Sequence, residues 1–410
     1  MEEWERIAEE FCCSETMRHD LKQCLIYATV SGIDMSDILE KMHTTGELPC
    51  RDKKAGKEIL NEFRKRVTAA VCEDKVFDEK RENTLDTSVI YVEKSVRNHP
   101  RTEEILLRFP DAEILKIASY KDVYYHPDSN TDNNAKIHMI LAEKRGNGII
   151  PGAPVCQDFD ERYFYYTSCS TGCVYDCEYC YLKGMYPSRD LLIYVNIEDI
   201  FAETEKMLES HKVYLCLSYD TDLFALESIT GYTGLWSTFV RSHPGLLAEC
   251  RTKCARTDLW ESIEPCERMI FAFTLSPDEV IGRFEHRTPS LAARIACIRE
   301  AMERGFTVRL CFDPMLRIPG WREAYARMVR LVSEELDLNR VRDISVGTFR
   351  ISKDYIKRLR RVEPDSAAVQ YPFVNEAGVY GYPQAQRNEM TEFMIRELKE
   401  KTPGIRVYSL

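Results

Sequence analysis

Three cysteines within eight residues, Cys173, Cys177 and Cys180, are the densest concentration of chemistry in the sequence. They read Cys-x3-Cys-x2-Cys, and Tyr181 follows at once. The hydrophobic run Tyr163-Phe164-Tyr165-Tyr166-Thr167 comes just before, the pattern of a strand that delivers a loop of ligands. Iron–sulfur clusters are held by cysteine thiolates, and a cubane takes four. Three leave one iron without a protein ligand, and an open coordination position is where a metal centre does chemistry. Gly172 lets the backbone wrap closely around a bulky group. Structural zinc is the competitor. It takes four ligands, usually in two separated pairs, and Cys169 is available as a fourth. The residues alone therefore leave zinc, or simply buried thiols, as alternatives.

The motif resembles the radical S-adenosylmethionine (SAM) superfamily. Glu178-Tyr179-Cys180-Tyr181-Leu182 and Ile193-Tyr194-Val195-Asn196-Ile197-Glu198-Asp199-Ile200 resemble, more narrowly, the spore photoproduct lyases of DNA repair. The likeness runs from about Thr87 to the C-terminus. It implies a 4Fe–4S cluster on Cys173, Cys177 and Cys180, with SAM chelating the fourth iron. Reductive cleavage of SAM would release a 5′-deoxyadenosyl radical that abstracts a substrate hydrogen. An electron donor such as flavodoxin or ferredoxin is implied as a partner.

The elements that must position the loop are legible as alternating apolar strands and helices. Strands are expected at Val213–Tyr219, Leu246–Thr252, Met269–Thr274, Val308–Phe312 and 341–351, with a helix at Leu291–Arg304 ending on Gly305. That alternation argues for a parallel sheet with outer helices. The fold class is α/β, and the resemblance implies a partial (β/α)6 barrel over 156–352. A small α/β region is expected over 86–155, with strands at Ser88–Val92, Glu113–Ile117 and Met139–Lys144. A helix capped by Thr102 reaches Phe109, and a polar loop spans Tyr120–Asn134. Residues 1–85 read as a helical N-terminal domain of unknown role. Trp4, Ile7, Ala8 and Phe11 mark one helix; Ser36 caps a second with Ile38, Leu39 and Met42; Asn61, Phe63, Val67 and Ala70 mark a third. Cys12, Cys13, Cys24, Cys50 and Cys72 have no metal-ligand spacing, and a linker is placed at Asp78–Asp86. Residues 353–410 form a C-terminal lobe.

In barrels of this type chemistry sits at the carboxyl ends of the strands. There the sequence puts Tyr219-Asp220-Thr221-Asp222, Thr252-Lys253-Cys254, Thr274-Leu275-Ser276 and Asp313-Pro314. By the resemblance, Lys253 meets the SAM carboxylate, and Thr221 and Thr274 stand where the family has serines that contact SAM. Tyr179 and Tyr181 match two tyrosines that flank the third cysteine, either packing on SAM and passing a hydrogen atom or shielding the cluster. The sequence departs from the family at Tyr219. The family carries there a cysteine that returns a hydrogen atom to the product radical, and a phenol can also donate one. Cys254 and Cys311 are other thiols near the same rim.

Eight Lys/Arg lie between 340 and 361, and a basic cluster at a barrel mouth can hold phosphates. Arg350 matches a family arginine near the lesion. The aromatic tail Tyr371-Pro372-Phe373 and Val379-Tyr380-Gly381-Tyr382 resembles a region whose hairpin wedges into DNA. The implied substrate is UV-damaged DNA with a linked thymine pair. The net charge of −11 opposes a dedicated nucleic-acid coat but permits a local basic groove. With Tyr219 and the unmatched N-terminal region, it favours the rival of a radical SAM enzyme acting on RNA, a peptide or a small molecule. A non-catalytic protein with a structural cluster or zinc is the rival from another class. Sixteen cysteines without a signal pattern or membrane-length apolar run lead us to expect a reducing cytoplasm and no membrane partner.

Overall fold

A computed structural model describes residues 14–33, 53–69, 85–125, 137–153 and 156–409. Two sheets organise these residues. The larger has eight strands in the order Val407–Ser409, Asp343–Thr348, Thr307–Met315, Met269–Thr274, Leu246–Thr252, Val213–Cys216, Phe164–Thr167 and Ile149–Pro151. All neighbours are parallel except the last pair. Every residue of Met269–Thr274 is buried, as expected of a central strand covered on both faces. The helix Leu291–Glu303 shows how crossovers are fixed. Ser290 caps it by accepting from the Ala293 N–H at 3.3 Å. Gly305, at φ 85°, ends it in a Schellman turn, with the Phe306 N–H on Ala301 O at 2.9 Å.

The smaller sheet runs Glu113–Ile117, Leu85–Glu93, Ile137–Ala142, Leu191–Tyr194 and Ser170–Thr171. Its last two strands come from beyond residue 155, so this sheet and the larger one interleave in sequence. Ser170–Thr171 matters most for the site. The chain leaves the large sheet at Thr167, adds an antiparallel strand to the small sheet, and then enters the cysteine loop.

Several boundaries differ from expectation. His99, not Thr102, caps the helix Pro100–Leu106; the Thr102 hydroxyl is buried and donates to Val96 O at 2.8 Å. A helical turn, Lys121–Tyr124, replaces the start of the expected loop, because Tyr124 buries its ring against Tyr194 and Tyr186. The stretch 341–351 splits at Phe349, whose ring stacks on Phe373 at 4.8 Å. Beyond it, Arg350–Ser352 joins a separate antiparallel sheet with Val379–Gly381 and Val374–Glu376.

At the N-terminal end, helices Glu15–Val30 and Lys53–Ala69 pack through Met17, Leu21, Cys24, Ala28, Leu60, Phe63 and Val67. They dock on the C-terminal lobe, with Gln23 donating to Gln370 O at 2.7 Å and Tyr27 edge-on to Tyr371. The expected helices around Trp4 and Ser36, Cys12, Cys13, Cys50 and Cys72, most of the linker and most of the 120–134 loop lie outside the described residues.

Candidate active site

The cysteine loop is clamped along its length. Gly172 enters it at φ 94°, and a Cβ there would stand 2.6 Å from Asp190 O, so only glycine fits. Asp176–Cys177 pairs antiparallel with Glu285–His286, and the Glu178 N–H donates to Phe284 O at 2.9 Å. His286 meets the Glu178 carboxylate at 2.7 Å. Cys180 then starts the helical turn Tyr181–Met185. All three thiols are free. Burial pushes Cys177 up to about 12, partly offset by Lys253, and pushes Cys173 and Cys180 up as well. Iron binding would deprotonate them outright. Among the described residues no three His, Cys, Asp or Glu side chains converge on one ion. A cubane does not ask for that, since each thiolate holds a different iron.

Lys253 is the hub. It follows the strand Leu246–Thr252, and its backbone N–H donates to Asp222 at 2.7 Å. The same carboxylate accepts from the Thr252 hydroxyl at 2.7 Å, which fixes the turn. The Lys253 ammonium lies 3.4 Å from Cys177 Sγ, 2.8 Å from the Tyr179 hydroxyl and 3.3 Å from Glu285. Glu285 also accepts from Tyr179, from Ser276 at 2.6 Å and from Arg294 at 2.5 Å. Burial alone would raise the Glu285 carboxyl, but Lys253 and Arg294 hold it far below its ordinary value. Arg294 in turn donates to Thr274 O at 3.1 Å.

Beside this hub stands an aromatic wall. Tyr181 donates its hydroxyl to Tyr219 O, and the Tyr219 ring stacks on Tyr166 with centroids 4.0 Å apart. The Thr221 hydroxyl is buried and has no hydrogen-bond partner among the described residues. Burial pushes the Asp220 carboxyl up to about 6, against a hydrogen bond from Tyr186 and the charge of Lys144.

The structure thus brings Cys173, Cys177, Cys180, Tyr179 and Lys253 together, with Thr274 joined through Arg294. Tyr181 and Tyr219 form one contact of their own. The Arg350 guanidinium meets Asp313 at 2.7 and 3.1 Å. Of the other basic residues, Arg340 donates to Met302 O, Arg342 meets Asp343, and Arg360 donates to Tyr371 O. Lys353, Lys357 and Arg361 are exposed along one side of the helix Lys353–Val362, with Arg358 half-buried beside them. The hairpin exists, but Tyr371, Phe373 and Tyr382 pack inward against Phe349, and its exposed tip is Asn375-Glu376-Ala377-Gly378. Those three side chains are core, while Tyr380 on the same hairpin is half-buried. Cys169 is buried and accepts from the Trp236 indole at 3.2 Å. Sequence reasoning missed Glu285 and Arg294. The signal was Arg294 itself, on the same helical face as Leu291 and Ile298, where a charge demands a buried partner.

The site is a clamped loop with three free thiols, set against a buried lysine next to the ends of parallel strands. A family model described as spore photoproduct lyase matches residues 86–407, and the chain belongs to that family. It is a lyase of the radical SAM class. It is 22% identical over 258 residues to a spore photoproduct lyase of Geobacillus sp. (strain Y412MC61), covering 61% of this chain and 74% of that one. It is 23% identical over 273 residues to that of Bacillus subtilis (strain 168), covering 64% and 76%. A solved spore photoproduct lyase complexed with dinucleoside spore photoproduct superposes with a TM-score of 0.67 at 19% identity, covering 80% of this chain and all of that one. A mutant with bound AdoMet and dinucleoside spore photoproduct gives 0.66 at 19%, with the same coverage. These likenesses show a shared fold. The two N-terminal helices lie outside the matched family span.

Proposed function

We propose that this protein repairs spore-photoproduct-type thymine lesions in DNA, using a 4Fe–4S cluster held by Cys173, Cys177 and Cys180 and SAM bound beside it in a partial (β/α)6 barrel. The observation that carries the reading is the clamped loop with Cys177 against Lys253, in a chain of this family. The residues present fit the cofactors: three free thiols, a glycine entry that no side chain can replace, and an unpartnered buried hydroxyl on Thr221. When bound, the cluster and SAM supply a 5′-deoxyadenosyl radical for hydrogen abstraction.

The chain's own groups do the rest. Lys253 offers a cation to the SAM carboxylate, a charge-assisted contact that Glu285 and Tyr179 pre-orient. Thr221 donates its free hydroxyl, and Thr274 lines the same rim. Tyr179, locked between Glu285 and Lys253, shields the loop from water. Tyr181 and Tyr219 stand together as the phenols available to return a hydrogen atom. Lys353, Lys357 and Arg361 meet DNA phosphates, and Arg350, oriented by Asp313, stands near the lesion as a substrate contact. A flavodoxin or ferredoxin donates the electron, and the reaction takes place in the cytoplasm.

The test is anaerobic reconstitution, reduction and addition of SAM, with 5′-deoxyadenosine assayed with and without UV-irradiated DNA. Restored thymines support the reading. Formation of 5′-deoxyadenosine with untouched DNA moves the substrate to RNA, a peptide or a small molecule, the alternative that Tyr219 and the net charge of −11 favour. No 5′-deoxyadenosine from a fully loaded protein sinks the catalytic reading.

A further inference from the structure

We propose that Arg287 receives a phosphodiester oxygen of the nucleic-acid substrate at the edge of the cysteine loop. The inference rests on the DNA-repair reading above and adds a specific anion contact to it.

Strand register places the residue. Glu285 pairs with Cys177 and His286 with Asp176, so Arg287 is the next residue beyond the clamp, at the level of Tyr175. Its backbone sits at φ 65°, a left-handed conformation that side chains bearing a Cβ rarely adopt. Such conformations persist where the surroundings impose them, and they concentrate at ligand sites. The side chain is half-buried, yet Nη1 is buried with no hydrogen-bond partner among the described residues.

The Asp176 carboxylate on the same clamp already meets two other cations. The carboxylate of Asp176 is taken by Lys183 at 2.5 Å and Arg189 at 2.7 Å, and Lys183 also holds Glu363 at 2.6 Å. An arginine with an unpaired buried donor suits an anionic phosphate oxygen. Lys253 is already the cation beside Cys177, which leaves Arg287 for the substrate backbone. The exposed Lys353, Lys357 and Arg361 belong to the helix that ends at Val362, next to Glu363 in this same network. One strand of nucleic acid running from that helix to the loop would meet both.

The test is equilibrium binding of a UV-irradiated, thymine-rich duplex to the full-length protein across a salt series, with melting temperature measured in parallel. Arg287→Gln should weaken binding about tenfold at low salt and reduce the slope of log K against log salt by about one. Arg287→Gly should lose the same affinity while raising the melting temperature, because glycine relaxes the left-handed backbone. A residue kept only for packing would lower stability in both variants and leave the salt slope intact. Wild-type affinity and slope in both variants overturn this inference alone. Failure of the wild-type protein to bind irradiated DNA overturns the substrate reading and this inference with it.

Discussion

Glu285 and Arg294, both with side chains wholly shielded from solvent, meet at 2.5 Å, and the same carboxylate stands 3.3 Å from Lys253. A buried anion shared by two cations holds the position of whatever touches them, here Cys177 and Tyr179. Removing one member leaves a charge uncompensated inside the protein. Arg294→Leu should therefore lower unfolding free energy by about 3–5 kcal/mol in chemical denaturation. The double variant Arg294→Leu/Glu285→Gln should lose clearly less than the sum of the two singles. Additive losses would show that the pair is not coupled.

Iron and sulfide analysis tests the ligand set. Cys173→Ala, Cys177→Ala and Cys180→Ala should each abolish stoichiometric iron incorporation. Cys169→Ala should retain it, because that thiol is committed to the Trp236 indole. Retention in any of the first three, or loss in the fourth, would redraw the site.

Asp220 gives a pH signature. Its carboxyl sits at about 6 in the folded protein against an ordinary 3.8. A raised acid keeps its proton in the folded state while the unfolded chain has released its own. It therefore costs stability as pH rises from about 4 through 6, and the full cost applies above that. Asp220→Asn should raise stability by about 3 kcal/mol at pH 8, with the gain shrinking through pH 6 and vanishing below pH 4. A gain independent of pH would assign the effect to packing.

The proposal that the Tyr219 phenol returns a hydrogen atom is open to a direct test. Tyr219→Phe keeps the ring stacked on Tyr166 and leaves the backbone carbonyl that Tyr181 donates to. Cleavage of SAM should persist while the ratio of repaired to side products shifts. An unchanged product ratio would remove the Tyr219 phenol from the hydrogen path.

The sequence displayed the parts of the site that local pattern encodes. The Cys-x3-Cys-x2-Cys spacing, the strands Leu246–Thr252 and Met269–Thr274, and Lys253 at a strand end all follow from short-range periodicity and turn chemistry. What was hidden depends on long-range contact. The role of Glu285 arises because its two-residue strand pairs with Cys177, 108 positions earlier in the chain, and the neighbouring His286 meets Glu178 across the same separation. The ion pair of Arg350 with Asp313 likewise joins residues 37 positions apart. Composition does not tell which aromatic side chains of the tail face inward, and packing buries Tyr371, Phe373 and Tyr382.

The docking of Gln23 on Gln370, 347 positions apart, has a practical consequence for anyone working with this protein. The span recognised by kinship, 86–407, is not the span that seals its own interior. Tyr371 and Gln370 are both buried, and Tyr27 and Gln23 from the helix Glu15–Val30 are among the groups that cover them. A fragment trimmed to the shared region would open an apolar seam behind the helix that carries Lys353 and Lys357, and would invite self-association there. The evolutionary module and the folding unit have different edges in this molecule, and expression should follow the second.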